Sequence, residues 1–277
     1  MSNFAFLFVG IVSVCEIFIP RLLLATEPRH QSANFTVESF AGGPSPDRVA
    51  VLCESQRNEL GRGWCDGELT AWNPRCEIVV HATLTKYIQA VGQNGSQTLG
   101  SSLIQVNEGR TISRRIDLLV DAAGDLSALP HELTHVVMSE RFAGQQPPHW
   151  FDEGAAMLAD TLHKQSLHER DCRDAMRTGS AMPIAELLYL EQFTSANQMP
   201  AFYGQSASLT RFLCQKDDIT KVARFACDAT KVGYQQALVT HYKIESIEEL
   251  ERQWRHYVYN NATPQLGTSA LAINFTP

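Results

Sequence analysis

Residues 131–135 read His-Glu-Leu-Thr-His, and this pattern limits the possible folds more than any other stretch of the chain. Two histidines four positions apart lie one turn apart on the same face of a helix, so both imidazoles can reach one zinc ion. Glu132 lies about 100° further round that helix, where its carboxylate can touch a water on the metal but is poorly placed to bind the ion. We therefore expect His131 and His135 to be zinc ligands and Glu132 to be catalytic.

The residues around this pattern favour a helix. Pro130 suits a first helical turn, where the N–H that proline lacks has no partner in any case. Leu133, Val136 and Val137 fall on the side away from the two histidines, so one face can pack while the other holds metal. Glycine and prolines within residues 144–148 predict a turn after this helix.

A second helical pattern runs from Trp150 to about His163 and places Glu153 in its first turn. Small residues beside it, beginning with Gly154, permit close packing against the first helix. Glu153 would be the third protein ligand and would leave a fourth position for water, as a catalytic zinc site requires. His149 and Asp152 are the alternative third ligands.

The rest of the chain predicts an α+β fold. Alternating apolar residues predict strands at residues 35–40, 76–81, 102–106 and 115–121, and helical spacing predicts helices over residues 47–60 and 83–91. Later helical patterns cover residues 183–192, 200–215, 219–230, 234–241 and 247–259. We expect a small N-terminal sheet with helices over residues 26–126, a mainly helical zinc-site lobe over residues 127–262, and a loose tail over residues 263–277.

The N-terminal residues and the cysteines indicate export. An apolar run fills most of residues 4–25 and predicts a signal peptide cleaved near Ala25; a retained membrane anchor is the alternative. We therefore expect a periplasmic, extracellular or cell-envelope location. Six of the seven cysteines follow this segment. The pairs Cys65–Cys76 and Cys214–Cys227 could form local disulfides, and buried free thiols are the alternative.

Charge argues against a nucleic-acid partner. The 277 residues carry a formal net charge of −7, and no basic patch interrupts the mixed charges. Binding to phosphate backbones needs such a patch, so we expect no nucleic-acid partner. A membrane partner is expected only if the N-terminal segment is retained.

The segment His-Glu-Leu-Thr-His, followed by Trp-Phe-Asp-Glu-Gly-Ala-Ala at residues 150–156, resembles the gluzincin clan of zinc metallopeptidases, the peptidase MA-like superfamily. Aminopeptidases of this clan carry a similar W-x-x-E-G-x-A segment. The resemblance is strongest to compact peptidase MA-like proteins and runs from about Leu129 to Trp254.

This resemblance implies a zincin-like fold, with an active-site cleft between the two lobes and one zinc ion per chain. A peptide or protein substrate would lie in the cleft and add to an edge strand, either 102–106 or 115–121. Glu132 would act as general base in peptide-bond hydrolysis by a zinc-activated water. Tyr203 would donate to the oxyanion, and packing in the cleft wall is its alternative role. The alternative function is a catalytically inactive, zinc-stabilised peptide-binding domain.

One further acidic residue follows the zinc-site pattern. Asp160 lies two helical turns after Glu153, where it could orient a ligand histidine, or it could be a solvated residue near the helix end.

Overall fold

The computed structural model describes residues 28–67, 69–143 and 145–260. Over these residues the chain has the expected α+β composition, with ten α-helices and five strands. The predicted signal peptide and the predicted tail from residue 263 lie outside the described residues. No helix within the described ranges is both long enough and apolar enough to span a bilayer.

The strands are β1 (Arg29–Gln31), β2 (Phe35–Glu38), β3 (Cys76–His81), β4 (Gly100–Asn107) and β5 (Arg110–Leu119). The helices are α1 (Pro46–Trp64), α2 (Leu84–Val91), α3 (Leu129–Arg141), α4 (His149–Leu158), α5 (Leu162–Thr178), α6 (Ile184–Tyr189), α7 (Met199–Lys216), α8 (Ile219–Val232), α9 (Tyr234–Tyr242) and α10 (Ile247–Asn260). The predicted strand at 76–81 is confirmed at both ends, and most other predicted elements differ by a few residues.

The five strands form one mixed sheet in the order β1-β2-β3-β5-β4. Strand β3 pairs in parallel with β2 and β5, whereas β1 and β4 pair antiparallel with their neighbours. Of the two strands expected at the substrate edge, β4 is the edge strand and β5 is internal. Strand β1 escaped prediction because its three residues are exposed and show no alternation.

The chain divides into two compact units. The first holds the described residues up to Asn58 and those of Leu69–Gln145, and the second holds the described residues of Glu59–Glu68 and those from Gln146 onward. The lobe boundary expected near residue 127 precedes α3, whereas the compact units divide after it.

In the first unit, α3 packs on β4 and β5. Leu133, Val136 and Val137 are fully buried, as expected for the side of α3 away from the histidines. Ile116 and Leu118 of β5 are fully buried as well. Two positions apart, Ile116 and Leu118 share one face of β5 and supply part of the apolar surface of the sheet on which a core can form.

In the second unit, α7 packs along α4 and α5 and also contacts α8 and α10. Two glycines permit its close approach. A Cβ atom at Gly154 of α4 would overlap the Thr210 hydroxyl and lie 2.6 Å from the Ser206 carbonyl oxygen, and one at Gly204 would lie 2.8 Å from the His168 carbonyl oxygen. Gly154 therefore serves the contact between α4 and α7.

The helix predicted from Trp150 to His163 ends earlier, at Leu158, and α5 begins at Leu162. Thr161 caps α5, and its hydroxyl accepts from the Lys164 N–H at 3.4 Å. The Gln165 side-chain amide donates to the carbonyl oxygens of Leu158 at 3.0 Å and Asp160 at 2.7 Å. A side chain from the next helix thus satisfies the end of α4 without glycine or proline.

The local disulfides expected as one possibility are not formed. Cys76, Cys214 and Cys227 are free thiols, so neither Cys65–Cys76 nor Cys214–Cys227 is a bridge. Burial raises the pKa of the Cys214 thiol to about 12, which makes that thiol a poor nucleophile.

Candidate metal centre

Helix α3 carries the two histidines on one side, as the spacing predicts. It begins after Ala128, has proline in its first turn, and keeps unbroken helical structure to Arg141. The imidazole rings of His131 and His135 lie with their centroids 5.0 Å apart and nearly perpendicular, at 74°. His135 is buried and His131 is half-buried.

Glu153 completes a cluster with these histidines. One ligand atom from each of His131, His135 and Glu153 lies within 4.8 Å of the other two. His149 and Asp152, the alternative third ligands, are not part of this cluster. Of the three carboxylate or imidazole groups considered for the third position, Glu153 is therefore the one that the geometry favours.

The donor set fits zinc. Two neutral imidazoles and one carboxylate are borderline donors of the kind that catalytic zinc sites use. Donor atoms about 2.1 Å from a tetrahedral ion lie roughly 3.4 Å from one another. Side-chain adjustments of about an ångström would therefore bring the three groups onto one ion, and a fourth position would be left for another ligand.

Glu132 follows His131 on α3 and is buried, with 7% of its surface exposed. Its side chain lies against Gly100, the first residue of β4. Its charge also acts on the nearby phenol of Tyr87. Burial is the main reason that the pKa of Tyr87 is raised, its hydrogen bond with Thr98 acts in the opposite direction, and the charges of Glu132 and Asp117 raise the pKa further.

His149 lies beside Glu153 but is not part of the cluster of possible metal ligands. It is the first residue of α4, one turn before Glu153, and its Nε2 atom lies 3.9 Å from Glu153 Oε1. Its ring packs on Phe202 at a centroid distance of 4.6 Å and on Phe193 at 5.6 Å. His149 is therefore held between aromatic rings with one nitrogen towards the carboxylate of Glu153.

Tyr203 lies on α7 and is half-buried. Its ring contacts Phe202 at 5.5 Å and Phe193 at 6.1 Å. Burial raises the pKa of the Tyr203 phenol, and the negative charge of Glu153 raises it further. The phenol is thus kept protonated within the electrostatic range of Glu153, as a hydrogen-bond donor at this site must be.

Asp160, considered for orienting a ligand histidine, is buried rather than solvated. Its carboxylate oxygens lie 3.4 Å from Lys164 Nζ and 3.7 Å from His168 Nε2. Both of these partners belong to α5. The contacts therefore associate Asp160 with α5, and the solvated alternative is wrong.

Two features near the sheet were not anticipated from the sequence. Gly100 contacts Glu132 across 32 positions of sequence, and no local pattern marks such a pair. Asp117 of β5 receives two hydrogen bonds from Arg115, at 2.6 and 2.8 Å, and lies 2.7 Å from His81 Nε2. Single charged residues within strands gave no sign that these groups meet.

A groove of about 390 Å³ opens at the carboxyl ends of β2 and β3. Its lining includes Ser39, His81 and Lys86. None of the residues expected to form the metal site lines this groove, which is therefore distinct from the cluster around Glu153.

Comparison of this sequence with models of protein families and with curated proteins gave no match.

Proposed function

We propose that this protein is a zinc-dependent metallopeptidase of the gluzincin type with a zincin-like fold. One observation carries the proposal: donor atoms of His131, His135 and Glu153 lie within 4.8 Å of one another, and the buried carboxylate of Glu132 directly follows the first of these ligands in α3. A zinc site with three protein ligands and an adjacent carboxylate has the parts that water-mediated hydrolysis requires.

The proposed chemistry assigns proton transfer to Glu132. When bound, zinc supplies Lewis acidity, which lowers the pKa of water and polarises a carbonyl group. Glu132 accepts the proton of the water as the oxygen attacks the peptide carbonyl carbon, and it then passes that proton to the amine that leaves. This task gives a reason for a buried carboxylate next to three ligands, since such a group otherwise needs its own partners.

Tyr203 is proposed to stabilise the negative charge that develops on the carbonyl oxygen. Burial and the charge of Glu153 raise the pKa of its phenol, so the O–H donor is retained at neutral pH. A donor already fixed in place before the reaction stabilises a developing oxyanion better than mobile water does.

The position of β4 supports a peptide as the substrate. Strand β4 is an edge strand of the sheet. Its first residue is Gly100, against which Glu132 packs. An extended peptide can add to an edge strand through backbone hydrogen bonds, which recognise the main chain with little regard for sequence. We therefore propose that the substrate lies along β4.

Replacement of Glu132 by glutamine tests the proposal. Glu132→Gln keeps the shape and the hydrogen-bonding capacity but removes the base, so zinc content and thermal stability should persist. Hydrolysis of a peptide found by digestion of a broad peptide library should fall roughly 100-fold or more. Glu186→Gln, at an exposed position of α6, is the matched control and should leave the rate unchanged.

Two outcomes would argue against hydrolysis. Equal rates for the wild type and Glu132→Gln would show that the base is assigned wrongly. If the zinc-loaded wild type cleaves nothing in the library but binds some of its peptides, the protein is instead a zinc-stabilised peptide-binding domain.

A further inference from the structure

Gly100 occupies a place in β4 where any side chain would have to displace a neighbouring residue. A Cβ atom built there would lie 2.6 Å from Glu132 Cγ, 2.9 Å from Glu132 Oε1 and 2.8 Å from the Cβ atom of Ala128. Contacts below 3.0 Å require something to move, and Glu132 Cγ is in the middle of its side chain rather than at a freely moving end. A methyl group at residue 100 would therefore occupy space that Glu132 now fills.

The backbone of Gly100 gives no other reason for glycine. It pairs regularly with Leu118 across the β4–β5 ladder. It is absent from the seven described glycines that have a left-handed φ, where glycine relieves strain. Glycine within a strand otherwise costs conformational entropy and packing surface, so the space required by α3 is the remaining physical explanation.

The contact also defines which side of α3 faces the sheet. Ala128 and Glu132 are four residues apart and therefore lie on one face of the helix, and both meet the position of Gly100. His131 and His135 share a different face, about 100° away. The sheet edge thus meets the glutamate on a side of α3 that lies about 100° away from the histidine face.

We infer that Gly100 is the positioning residue for Glu132. Because Gly100 has no side chain, β4 leaves a space at this point, and that space holds the carboxylate of Glu132 in place. The role of Glu132 as a base rests on the proposed function, whereas the steric relation requires only the two side chains. A wrong rotamer of Glu132 would move its carboxylate by more than the roughly 1 Å that can cost a catalytic group 100-fold in rate.

A double-mutant cycle on the zinc-free protein tests the steric relation without any need for activity. Urea unfolding is compared for wild type, Gly100→Ala, Glu132→Ala and the double variant. Gly100→Ala alone should lower the folding equilibrium constant by roughly 5- to 150-fold, as overpacking does. In the Glu132→Ala background, the fold-decrease in the folding equilibrium constant caused by Gly100→Ala should be at least three times smaller. The decrease that remains reflects the contact with Ala128. The added substitution Ala128→Gly should relieve it.

Gly63→Ala is the matched control, because its Cβ atom would meet only Ile219 at 4.0 Å. It should leave the folding equilibrium constant unchanged or raise it. Equal losses from Gly100→Ala in both backgrounds, or no loss in either, would overturn the inference. If Gly100→Ala fails to fold, recovery of folding by Glu132→Ala supports the inference, and an unfolded double variant contradicts it.

Kinetics then separate positioning from general destabilisation. On a peptide that the wild type cleaves, zinc-loaded Gly100→Ala should show kcat reduced about 10-fold or more, with KM within about threefold and zinc content unchanged. An unchanged kcat would overturn the positioning role. If the wild type cleaves no peptide, the proposed function fails while the unfolding cycle still decides whether Gly100 positions Glu132.

Discussion

Tyr203 shows at the scale of one residue how packing and chemistry can be separated. Its ring lies against Phe193 and Phe202, which needs only the aromatic carbon atoms. Stabilisation of an oxyanion would need the hydroxyl group alone. Tyr203→Phe removes the hydroxyl group and keeps the ring packing.

Tyr203→Phe should keep the fold and the zinc content but lower kcat on the order of 10- to 1000-fold, because one donor to the developing charge is lost. Steady-state kinetics with metal analysis would measure this. Tyr259→Phe is the control, since that tyrosine is 63% exposed. A variant as fast as the wild type would return Tyr203 to a packing role.

The residues of the metal cluster could be selected from the sequence, whereas Gly100 could not. His131 and His135 are related by helical periodicity, which a short sequence pattern encodes directly. Glu153 needed the further assumption that a second helix returns to the first. Gly100 meets Glu132 only because β4 packs under α3, and such a contact between distant residues leaves no local signal.

At the scale of elements, periodicity predicted where helices and strands lie better than where they end. Strand β3 was predicted with correct ends, and its buried residues alternate along its first five positions. The end of α4 was missed because Gln165, which satisfies its last carbonyl groups, lies in the next helix. Neither glycine nor proline marks this break, so the sequence alone favours one continuous helix.

The pairing of β3 with β5 buries the carboxylate of Asp117, and the protonation of this group makes the stability of the sheet depend on pH. Burial alone would raise the pKa of Asp117, but hydrogen bonds with His81 and Arg115 outweigh it and lower the pKa below the ordinary value of 3.8. A carboxylate whose pKa is lower in the folded state than in the unfolded state contributes its full stabilisation at pH values above the unfolded-state pKa. That stabilisation is lost as the pH falls below about 3.8.

Asp117→Asn should therefore lower the free energy of unfolding at neutral pH by about 2–3 kcal/mol, because a buried charge-assisted network is broken. The difference from the wild type should narrow as the pH is lowered through the range below 4, where the native carboxylate becomes protonated. Urea unfolding from pH 7 to pH 3 would measure both effects. Asp125→Asn, at an exposed position, is the control, and a difference that stays constant with pH would contradict this account.

At the scale of the whole molecule, the sequence predicted the α+β class but left the order of the strands open. Residues 102–106 and 115–121 were equivalent expectations for the sheet edge, because a hairpin can join a sheet by either of its strands. Strand β5 is the one that pairs with β3, and β4 is left at the edge. The pairing of β3 with β5 joins residues that are far apart in the chain, so the local pattern of the hairpin does not encode it.

Zinc binding should be measurable as stability of the whole molecule. A ligand that binds only the native state stabilises it, by about 2.7 kcal/mol when present at 100 times its Kd. For a protein of this size we expect removal of zinc by a chelator to lower Tm by roughly 5–10 °C, and re-addition of one zinc ion per chain to restore it. Differential scanning calorimetry with metal analysis would measure the shift and the stoichiometry.

Variants of the ligands make this prediction specific to the cluster. His135→Ala should abolish the zinc-dependent rise in Tm, and Glu153→Ala should weaken it, because each removes one of the three donors that lie within 4.8 Å. His163→Ala, which removes an exposed imidazole of α5, should keep the full rise. Full zinc occupancy in His135→Ala would rule out the assigned site. If His149→Ala rather than Glu153→Ala weakens binding, the third ligand is His149 and the assignment of Glu153 is wrong.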